Sequence, residues 1–307
     1  MLDVSRSGYY LWINQKPRRD EQIKQQTLLL KYIRKLFYNS YETYGYRRVQ
    51  KQLVNQEGII CSKQRVYILM KQNALHIKHK RKFIRTTDSN HDLPISLNLI
   101  KQSFKEIKRP NQVWLGDITY LWTKENWFYL ATIMDLGTRK IIGWSMKPQI
   151  NTELVLNALY MAILNRKGSP FFHNRLNPQL WQPDKENTHL LDQFLVFHSD
   201  RGSQYASKAY QQALKDHWIL SSMSRRGNCY DNAPMESFFH TLKQDATDRL
   251  FQPSRDEVKS CVFRYIEGFY NYKRLHSSLG YRSPHEYDQM FYNQVIKQNI
   301  VELRNEI

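Results

Sequence analysis

A change of residue pattern at position 111 constrains the fold more than any other feature of the sequence. Two runs, NQVWLGDITYLW from residue 111 and NWFYLATIMDLGTRKIIGWSM from residue 126, are rich in β-branched and aromatic residues. Such runs predict strands, and their short polar connections predict that the first three strands are antiparallel. A helix after Asn151, a buried strand ending at Asp200, and a further strand and helices complete the pattern. The order predicts an α/β domain with a mixed sheet and flanking helices.

The residues before position 111 predict helices instead. Residues 18 to 38 place Ile23, Leu30, Ile33 and Phe37 near helical spacing among charged residues, as in an amphipathic helix. The stretch of about residues 44–75 predicts two short helices in a helix-turn-helix-like arrangement. Gly58 breaks the first of them, and Ser62 can cap the second.

Charge is concentrated in the same part of the chain. The formal net charge is +18, and residues 1–110 hold 23 basic and 8 acidic side chains, which leaves a net charge of only +3 on the remainder. A polyanion is therefore the expected partner, with nucleic acid favoured over an anionic membrane. The alternative is that the basic helices only confer solubility. The residues expected to contact DNA on the outer faces of the two short helices are Arg47, Arg48, Lys63 and Arg65.

The cellular compartment is predicted from what the sequence lacks. Cys61, Cys229 and Cys261 are far apart, without the paired spacing of a disulfide framework or a structural zinc site. No apolar run approaches the roughly 20 residues that span a bilayer, and the first residues lack the apolar core of a secretory signal. We therefore expect no membrane partner and a cytoplasmic, nucleoid-associated protein.

Three carboxylates stand out within the predicted sheet domain. Asp117 lies in the first strand, Asp200 ends the fourth, and Glu236 begins a helix after 35 further residues. Neighbouring strands can hold two carboxylates close together, and a helix packed at the sheet edge can add a third oxygen ligand. Mg²⁺ prefers such ligands, and two ions about 4 Å apart can assist an in-line displacement at phosphorus. Asp135 precedes a turn, where aspartate is favoured locally, and is not included in this site.

Four motifs carry a family resemblance: WLGDITYLW, FHSDRGSQY, DNAPMESFFHTLKQD and YNYKRLHSSLGYRSPHEY. In this order, and with this Asp-to-Glu spacing, they resemble the DDE transposases of insertion sequences. The catalytic domain of that family is of the retroviral-integrase, ribonuclease-H-like type. The segments VSRSGYYLW and YGYRRVQKQL also resemble the family's N-terminal helical region, so the resemblance covers nearly the whole chain.

The resemblance implies an enzyme that cleaves DNA at the ends of its element and joins the freed 3′-hydroxyl to another phosphodiester. It implies that Asp117, Asp200 and Glu236 bind two Mg²⁺ ions, with Mn²⁺ as a substitute, and that Lys243 contacts DNA beside them, with Arg201 as a further DNA contact. Lys243 and Glu236 are seven residues apart, so a helix would place both on one face, about 10 Å apart. The expected partners are double-stranded DNA at transposon ends and target, further copies of the chain in a homo-oligomer on DNA, and the product of an upstream reading frame.

The predicted domain organisation follows from these motifs. Residues 1–85 form a basic helical region, 86–109 a linker, 110–290 the catalytic core with an insertion at about 166–190, and 291–307 a C-terminal tail. Two features depart from the family pattern. The 82 residues between Asp117 and Asp200 exceed the usual spacing, and Gly116 replaces a larger residue. Two alternatives stay open: a non-catalytic DNA-binding repressor or decayed transposase, and an RNA-cleaving nuclease on the same scaffold.

Overall fold

The computed structural model describes residues 5–77, 93–100, 104, 106–169, 193–225 and 232–305, with side chains up to residue 294. The chain forms two compact units, residues 1–79 and 80–307. Among the described residues, no helix is both long enough and apolar enough to cross a membrane.

The first unit is helical, as predicted. Its helices are α1 (Arg6–Asn14), α2 (Lys16–Asn39), α3 (Tyr46–Glu57) and α4 (Lys63–Gln72). The prediction of the inner face of α2 was correct for Ile33 and Phe37, which are buried. It was wrong for Ile23, which is 62% exposed, because the first half of α2 buries no side chain and its core contacts come only from its second half.

Local capping explains the connection between α3 and α4. Gly58 ends α3 in the left-handed conformation at φ 66°, where a residue without a Cβ is least strained. The Ser62 hydroxyl accepts a hydrogen bond from the Arg65 N–H at 3.2 Å and caps α4, as predicted. Val49 and Leu53 of α3 are buried, as are the residues of α4 that the sequence predicted to face inward. Those residues are Val66, Leu69 and Met70.

The second unit is built on a five-stranded mixed sheet. The strands are β1 (Val113–Thr123), β2 (Asn126–Asp135), β3 (Ile141–Lys147), β4 (Leu195–Ser199) and β5 (Ile219–Met223). Their order across the sheet is β3-β2-β1-β4-β5. β1, β2 and β3 form the predicted antiparallel meander, and β4 and β5 are parallel to β1. The predicted α/β class with a mixed sheet is confirmed.

Helices pack around this sheet. They are α5 (Thr152–Arg166), α6 (Ser203–Ala206), α7 (Lys208–Asp216), α8 (Ala233–Asp245), α9 (Arg255–Phe263) and α10 (Pro284–Asn305), and a π-helical segment, Arg264–Tyr270, continues α9. Asn151 precedes the predicted helix and can cap it, and in the structure its side chain accepts a hydrogen bond from the Leu154 N–H of α5. Helical spacing predicts an inner face of Leu154, Ala158, Met161 and Ile163; of these, only Met161 is partly rather than fully buried. Side chains of α5, α6 and α7 share one core with Trp114 and Phe197 of the sheet.

A buried ionic network joins distant parts of this unit. Arg166 at the end of α5 donates one hydrogen bond to Asp135 at 3.0 Å and two to Asp288 of α10 at 2.9 and 2.8 Å. Asp135 also accepts hydrogen bonds from the N–H groups of Asn111, Gly137 and Thr138. The network engages both oxygens of the Asp135 carboxylate and gives it a structural role.

The structure describes parts of the segments that were predicted as linker, insertion and tail. Part of the predicted linker packs on the sheet, because Leu97 accepts a hydrogen bond from the Met223 N–H at 3.4 Å and Leu99 donates one to Ser222 at 3.0 Å. Most of the predicted insertion, residues 170–190, lies outside the described residues. Residues 291–305, expected to be a tail, belong to α10. The helix continues because no proline or glycine interrupts it after Pro284.

Candidate active site

The two predicted aspartates lie side by side at one end of the sheet. In the parallel ladder Leu115 pairs with His198. The ladder ends at this pair, and Asp117 and Asp200 each lie two residues beyond it, Asp117 within β1 and Asp200 directly after β4. The charge of Asp200 acts on Asp117, so the two carboxylates are neighbours where the two strands leave the ladder.

The electrostatics of Asp117 reflect this arrangement. Burial of its carboxylate raises the pKa of Asp117 well above its usual range, and the Asp200 carboxylate raises it further. The charge of Glu236 acts in the same direction, whereas the Ile118 N–H, which donates to Asp117 at 2.7 Å, and the charge of Lys243 act in the opposite direction. Negative charge from three carboxylates thus converges at Asp117.

The turn after β4 holds Asp200 in place. One oxygen of its carboxylate accepts a hydrogen bond from the Gly202 N–H at 2.9 Å. Arg201 donates through Nε to the Ser224 carbonyl at 2.8 Å, which ties this turn to the end of β5. His198 is buried and its Nδ1 hydrogen-bonds with Ser222 at 2.8 Å. Arg201 and His198 therefore shape the turn, and the predicted DNA contact of Arg201 stays a prediction.

Glu236 lies on the first turn of α8, as predicted. Its side chain is exposed, and partial burial raises its pKa. Asn232, which precedes α8, is 6% exposed, and neither polar atom of its side chain has a hydrogen-bond partner among the described residues. Within the described ranges, no three His, Cys, Asp or Glu side chains are grouped closely enough to hold a metal ion. The structure therefore presents an aspartate pair with Glu236 as an outlying third charge.

Lys243 lies near both the aspartates and an aromatic ring. Its ammonium group is 4.3 Å from the centre of the Tyr120 ring. Burial lowers the pKa of Lys243, while the charges of Asp248 and Asp117 oppose that shift. A cation thus lies beside the aspartate pair, on the same helix as Glu236.

The predicted DNA contacts of the first unit are distributed over α3 and α4. Arg47, Lys63 and Arg65 are exposed, whereas Arg48 is partly buried. The guanidinium of Arg48 lies 5.7 Å from the centre of the Tyr44 ring, and that of Arg47 lies 5.6 Å from the centre of the Tyr46 ring. At least three of the four cations are therefore accessible to a partner of this unit.

Two residues near the aspartates were not predicted from the sequence. Tyr205 is buried, and burial raises its pKa well above the usual range, with further contributions from Tyr210, Asp117 and Asp200. Its position in the motif FHSDRGSQY was the only available signal. Thr132 pairs with Asp117 across the β1–β2 ladder and is fully buried. Its position opposite Asp117 depends on the register of β1 with β2, which the sequence alone does not specify.

The sequence predicts that the tryptophans at 114, 122, 127 and 144 are core residues and do not stack on bases, and this prediction is partly wrong. Trp114 is fully buried, as expected of a core residue. Trp122, also expected in the core, is 57% exposed. Aromatic residues in a strand usually pack under another layer, but among the described residues no such layer covers the side chain of Trp122, although Leu121 and Thr123 on the opposite face of β1 are buried.

Comparison with known protein families agrees with the fold and with the motifs. A family described as "Integrase core domain" matches residues 107–229, and a second family of the same description matches residues 217–284. A family described as "HTH-like domain" matches residues 23–83. These matches confirm the predicted integrase core and the predicted helix-turn-helix-like character of the N-terminal region.

Solved structures with some similarity come from retroviruses. The simian T-cell lymphotropic virus intasome in complex with PP2A regulatory subunit B56 gamma matches with a TM-score of 0.41 at 15% identity, over 83% of this chain and 73% of that chain. The HTLV-2 integrase catalytic core domain in complex with magnesium, in its trimeric form, matches with a TM-score of 0.39 at 15% identity, over 59% and 97%.

The fold and the family matches define the class of integrase-core proteins, for which polynucleotidyl transfer is the implied activity. Over 296 residues the chain is 40% identical to the insertion element IS600 uncharacterized 31 kDa protein of Shigella sonnei, covering 95% of this chain and 97% of the relative. Over 288 residues it is 36% identical to transposase InsF for insertion sequence IS3A of Escherichia coli (strain K12), covering 94% and 91%. The chain belongs to the insertion-sequence transposases with an integrase core, and its function is DNA transposition.

Proposed function

We propose that the second unit cuts DNA at the transposon ends and joins the freed 3′-hydroxyls to target DNA, using Asp117, Asp200 and Glu236 as ligands of divalent metal ions. The observation that carries the proposal is that Asp117 and Asp200 each lie two residues beyond the Leu115–His198 pair of adjacent parallel strands, where the charge of Asp200 acts on Asp117. The charge of Glu236 acting on Asp117 supports the third member of the set.

The chemistry of these side chains fits a hard divalent cation. All three residues offer carboxylate oxygens, which Mg²⁺ prefers. The proximity of Asp117 to Asp200 disfavours two negative charges, and a divalent cation between them would offset that repulsion. We propose that the site binds two Mg²⁺ ions and that Mn²⁺ can replace them. Glu236 must then move toward the pair, since it is the exposed member.

The proposed reaction needs no covalent enzyme intermediate. The metal ions, when bound, activate the attacking oxygen and stabilise the leaving oxygen at the scissile phosphorus. The carboxylates of Asp117 and Asp200 would hold these ions against the sheet, and the phosphate would be positioned through the ions. Water is the attacking group in the first step, and the freed 3′-hydroxyl of the DNA is the attacking group in the second.

Lys243 is proposed to hold a DNA phosphate next to the reacting one. Its ammonium group lies close enough to Asp117 for their charges to interact. A lysine presents a compact point charge suited to phosphate. We further propose that the chain acts as a homo-oligomer, because two transposon ends must be processed together, and that the product of an upstream reading frame takes part in end recognition.

The first experiment measures cleavage and joining by the full chain on duplex DNA carrying both transposon ends, in Mg²⁺ or Mn²⁺. Asp117→Asn and Asp200→Asn should each lower the rate by more than about a hundredfold. Substitution of a residue that only supports a metal ligand typically costs less than that. Their DNA affinity should stay within about twofold of the parent, because DNA affinity is set mainly by contacts with phosphates along the duplex.

A matched control is Glu153→Gln on α5, a carboxylate that is 62% exposed and forms a surface ion pair with Lys147. It should retain the parent's rate. If either aspartate variant cuts DNA as fast as the parent, the proposed site is wrong. Cleavage of an RNA–DNA hybrid in preference to DNA joining would instead favour an RNA-cleaving nuclease.

A further inference from the structure

Beyond the aspartate pair, β1 and β2 continue as a hairpin that β4 does not join and that β3 joins only as far as Tyr129. β1 pairs with β4 only from Val113 to Leu115, whereas its pairing with β2 continues to the end of both strands at Thr123 and Asn126. We call residues 118–130 the hairpin arm. It begins one residue after Asp117 and leads away from the carboxylates.

One face of the hairpin arm is packed against the rest of the unit. Leu121, Thr123 and Phe128 are buried. At the tip, the Lys124 N–H donates to the Pro253 carbonyl at 2.9 Å, and the Arg255 N–H donates to Glu125 at 3.1 Å. These contacts fix the arm to the residues around the start of α9.

The opposite face of the arm is aromatic where a polar face is expected. A hairpin with one buried face normally alternates apolar residues with polar, solvated ones. Here the alternate positions are Tyr120 and Trp122 on β1 and, directly opposite Trp122, Trp127 on β2. Trp122 is 57% exposed, and Tyr120 and Trp127 are partly exposed. We call these three residues the aromatic patch.

The three rings of the aromatic patch are held in fixed orientations. The centroids of Trp122 and Trp127 are 4.8 Å apart at an interplanar angle of 78°, and those of Tyr120 and Trp127 are 5.0 Å apart at 86°. Edge-to-face packing of this kind is a favourable geometry for aromatic pairs. Rings that are ordered before binding lose little conformational freedom when a ligand packs on them.

The charges around the aromatic patch identify the chemistry of its ligand. Lys243 lies 4.3 Å from the centre of the Tyr120 ring, and Lys124 is exposed at the tip of the arm. Tyr120 follows Asp117 by three residues, about 10 Å along the strand, and because side chains alternate it faces the other side of β1. Lys243, which lies over the Tyr120 ring and whose charge acts on Asp117, connects the patch with the carboxylates. A ligand on this patch therefore presents a flat apolar group to the rings and negative charge to the lysines, a short distance from the proposed reaction centre. A nucleotide of a DNA strand has both properties.

We propose that the aromatic patch stacks on an unpaired base of the DNA strand that carries the reacting phosphate. The inference rests on the proposed function, because it places that phosphate at Asp117 and Asp200. Stacking on the hairpin arm holds the DNA strand open next to the carboxylates. It also explains why the exposed face of the arm carries rings in place of polar residues.

The test measures DNA binding by the full chain in the presence of EDTA, where no cleavage occurs. The probes are a blunt duplex and the same duplex with a short single-stranded extension that carries 2-aminopurine at its first unpaired position. The parent should bind the extended duplex more tightly and quench the 2-aminopurine fluorescence. Trp122→Ala should lose that preference by roughly five- to hundredfold, the range expected for one base–aromatic contact, and should lose the quenching.

Two further variants separate stacking from other roles of Trp122. Trp122→Phe keeps a flat ring and should retain most of the preference, whereas Trp122→Leu keeps apolar area without a ring and should lose it. Tyr160→Ala on α5 is the control, since Tyr160 is 45% exposed and lies outside the arm. It should bind both probes like the parent.

Binding of the extended duplex by Trp122→Ala or Trp122→Leu with the parent's affinity would overturn the proposal. So would a Trp122 variant that forms smaller oligomers than the parent in sedimentation without a change in DNA preference, because the patch would then be an interface between copies of the chain. Since the assay needs no catalysis, its result is independent of whether the aspartate variants lose activity.

Discussion

Gly116 lies immediately before Asp117 and shows how one residue can determine the packing behind the site. A Cβ at this position would lie 2.3 Å from Cζ of Phe197. The Phe197 ring packs against Tyr205 and Tyr210, at centroid distances of 5.9 and 5.4 Å. The missing side chain therefore makes room for an aromatic cluster directly behind the aspartate pair, and this accounts for the small residue where the family pattern has a larger one.

Gly116→Ala should destabilise the second unit by about 1–3 kcal/mol, because the added methyl group overpacks a filled core. Urea unfolding measures the change, and combination with Phe197→Leu should recover part of it. Gly168→Ala, at a position where a Cβ meets nothing within 4 Å, is the control and should show no such loss. A Gly116→Ala variant as stable as the parent would contradict the close packing.

For single residues, the sequence predicted which side chains form the site but not which residues lie around them. Asp117 and Asp200 could be predicted because each lies at a recognisable position in a strand pattern. The exposure of Trp122 could not, because alternation along a strand shows which residues share a face but not whether another layer covers that face. Thr132 opposite Asp117 depends on strand register, which arises from contacts along the whole hairpin.

Among the secondary-structure elements, α3 and α4 carry the predicted DNA-binding surface of the first unit. Replacing Arg47, Arg48 and Lys63 by alanine should reduce the dependence of DNA affinity on salt, because fewer counterions are released on binding. The slope of log affinity against log salt should fall by about one for each phosphate that the protein no longer neutralises, and so by up to about three.

The matched control for this experiment replaces Lys208 and Lys215, which are exposed at the two ends of α7. It should leave the slope unchanged. A slope that stays at the parent's value after the triple substitution would mean that these helices do not face DNA phosphates.

Helix ends that depend on a few neighbouring residues were predicted correctly. Caps at Ser62 and Asn151 and the break at Gly58 are local signals, and each lies where the sequence indicated. The strand order β3-β2-β1-β4-β5 was not predicted, because it depends on pairing between segments far apart in the chain. The buried network of Arg166 with Asp135 and Asp288 depends in the same way on residues that are distant in the sequence.

At the scale of the whole molecule, basic charge is densest in the first unit and the proposed chemistry lies in the second. Residues 1–79 hold 15 basic and 5 acidic side chains, a net charge of +10, whereas the much longer residues 80–307 hold 31 and 23, a net charge of +8, and contain the three carboxylates. The family resemblance supplied the function, and the composition independently indicated a polyanionic partner. This division suits an enzyme that binds DNA through one part of the chain and reacts with it in another.

The proposed catalysis requires three carboxylates to act together, and Glu236 is the sharpest probe of that requirement because it is the exposed member, set apart from the aspartate pair. The decisive measurement compares Mg²⁺-dependent nicking and joining of transposon-end DNA by the parent and by Glu236→Gln at matched DNA affinity. We predict that the variant binds DNA like the parent and loses more than about a hundredfold in both reactions. Nicking and joining by Glu236→Gln at the parent's rate would mean that Glu236 is not part of the catalytic site.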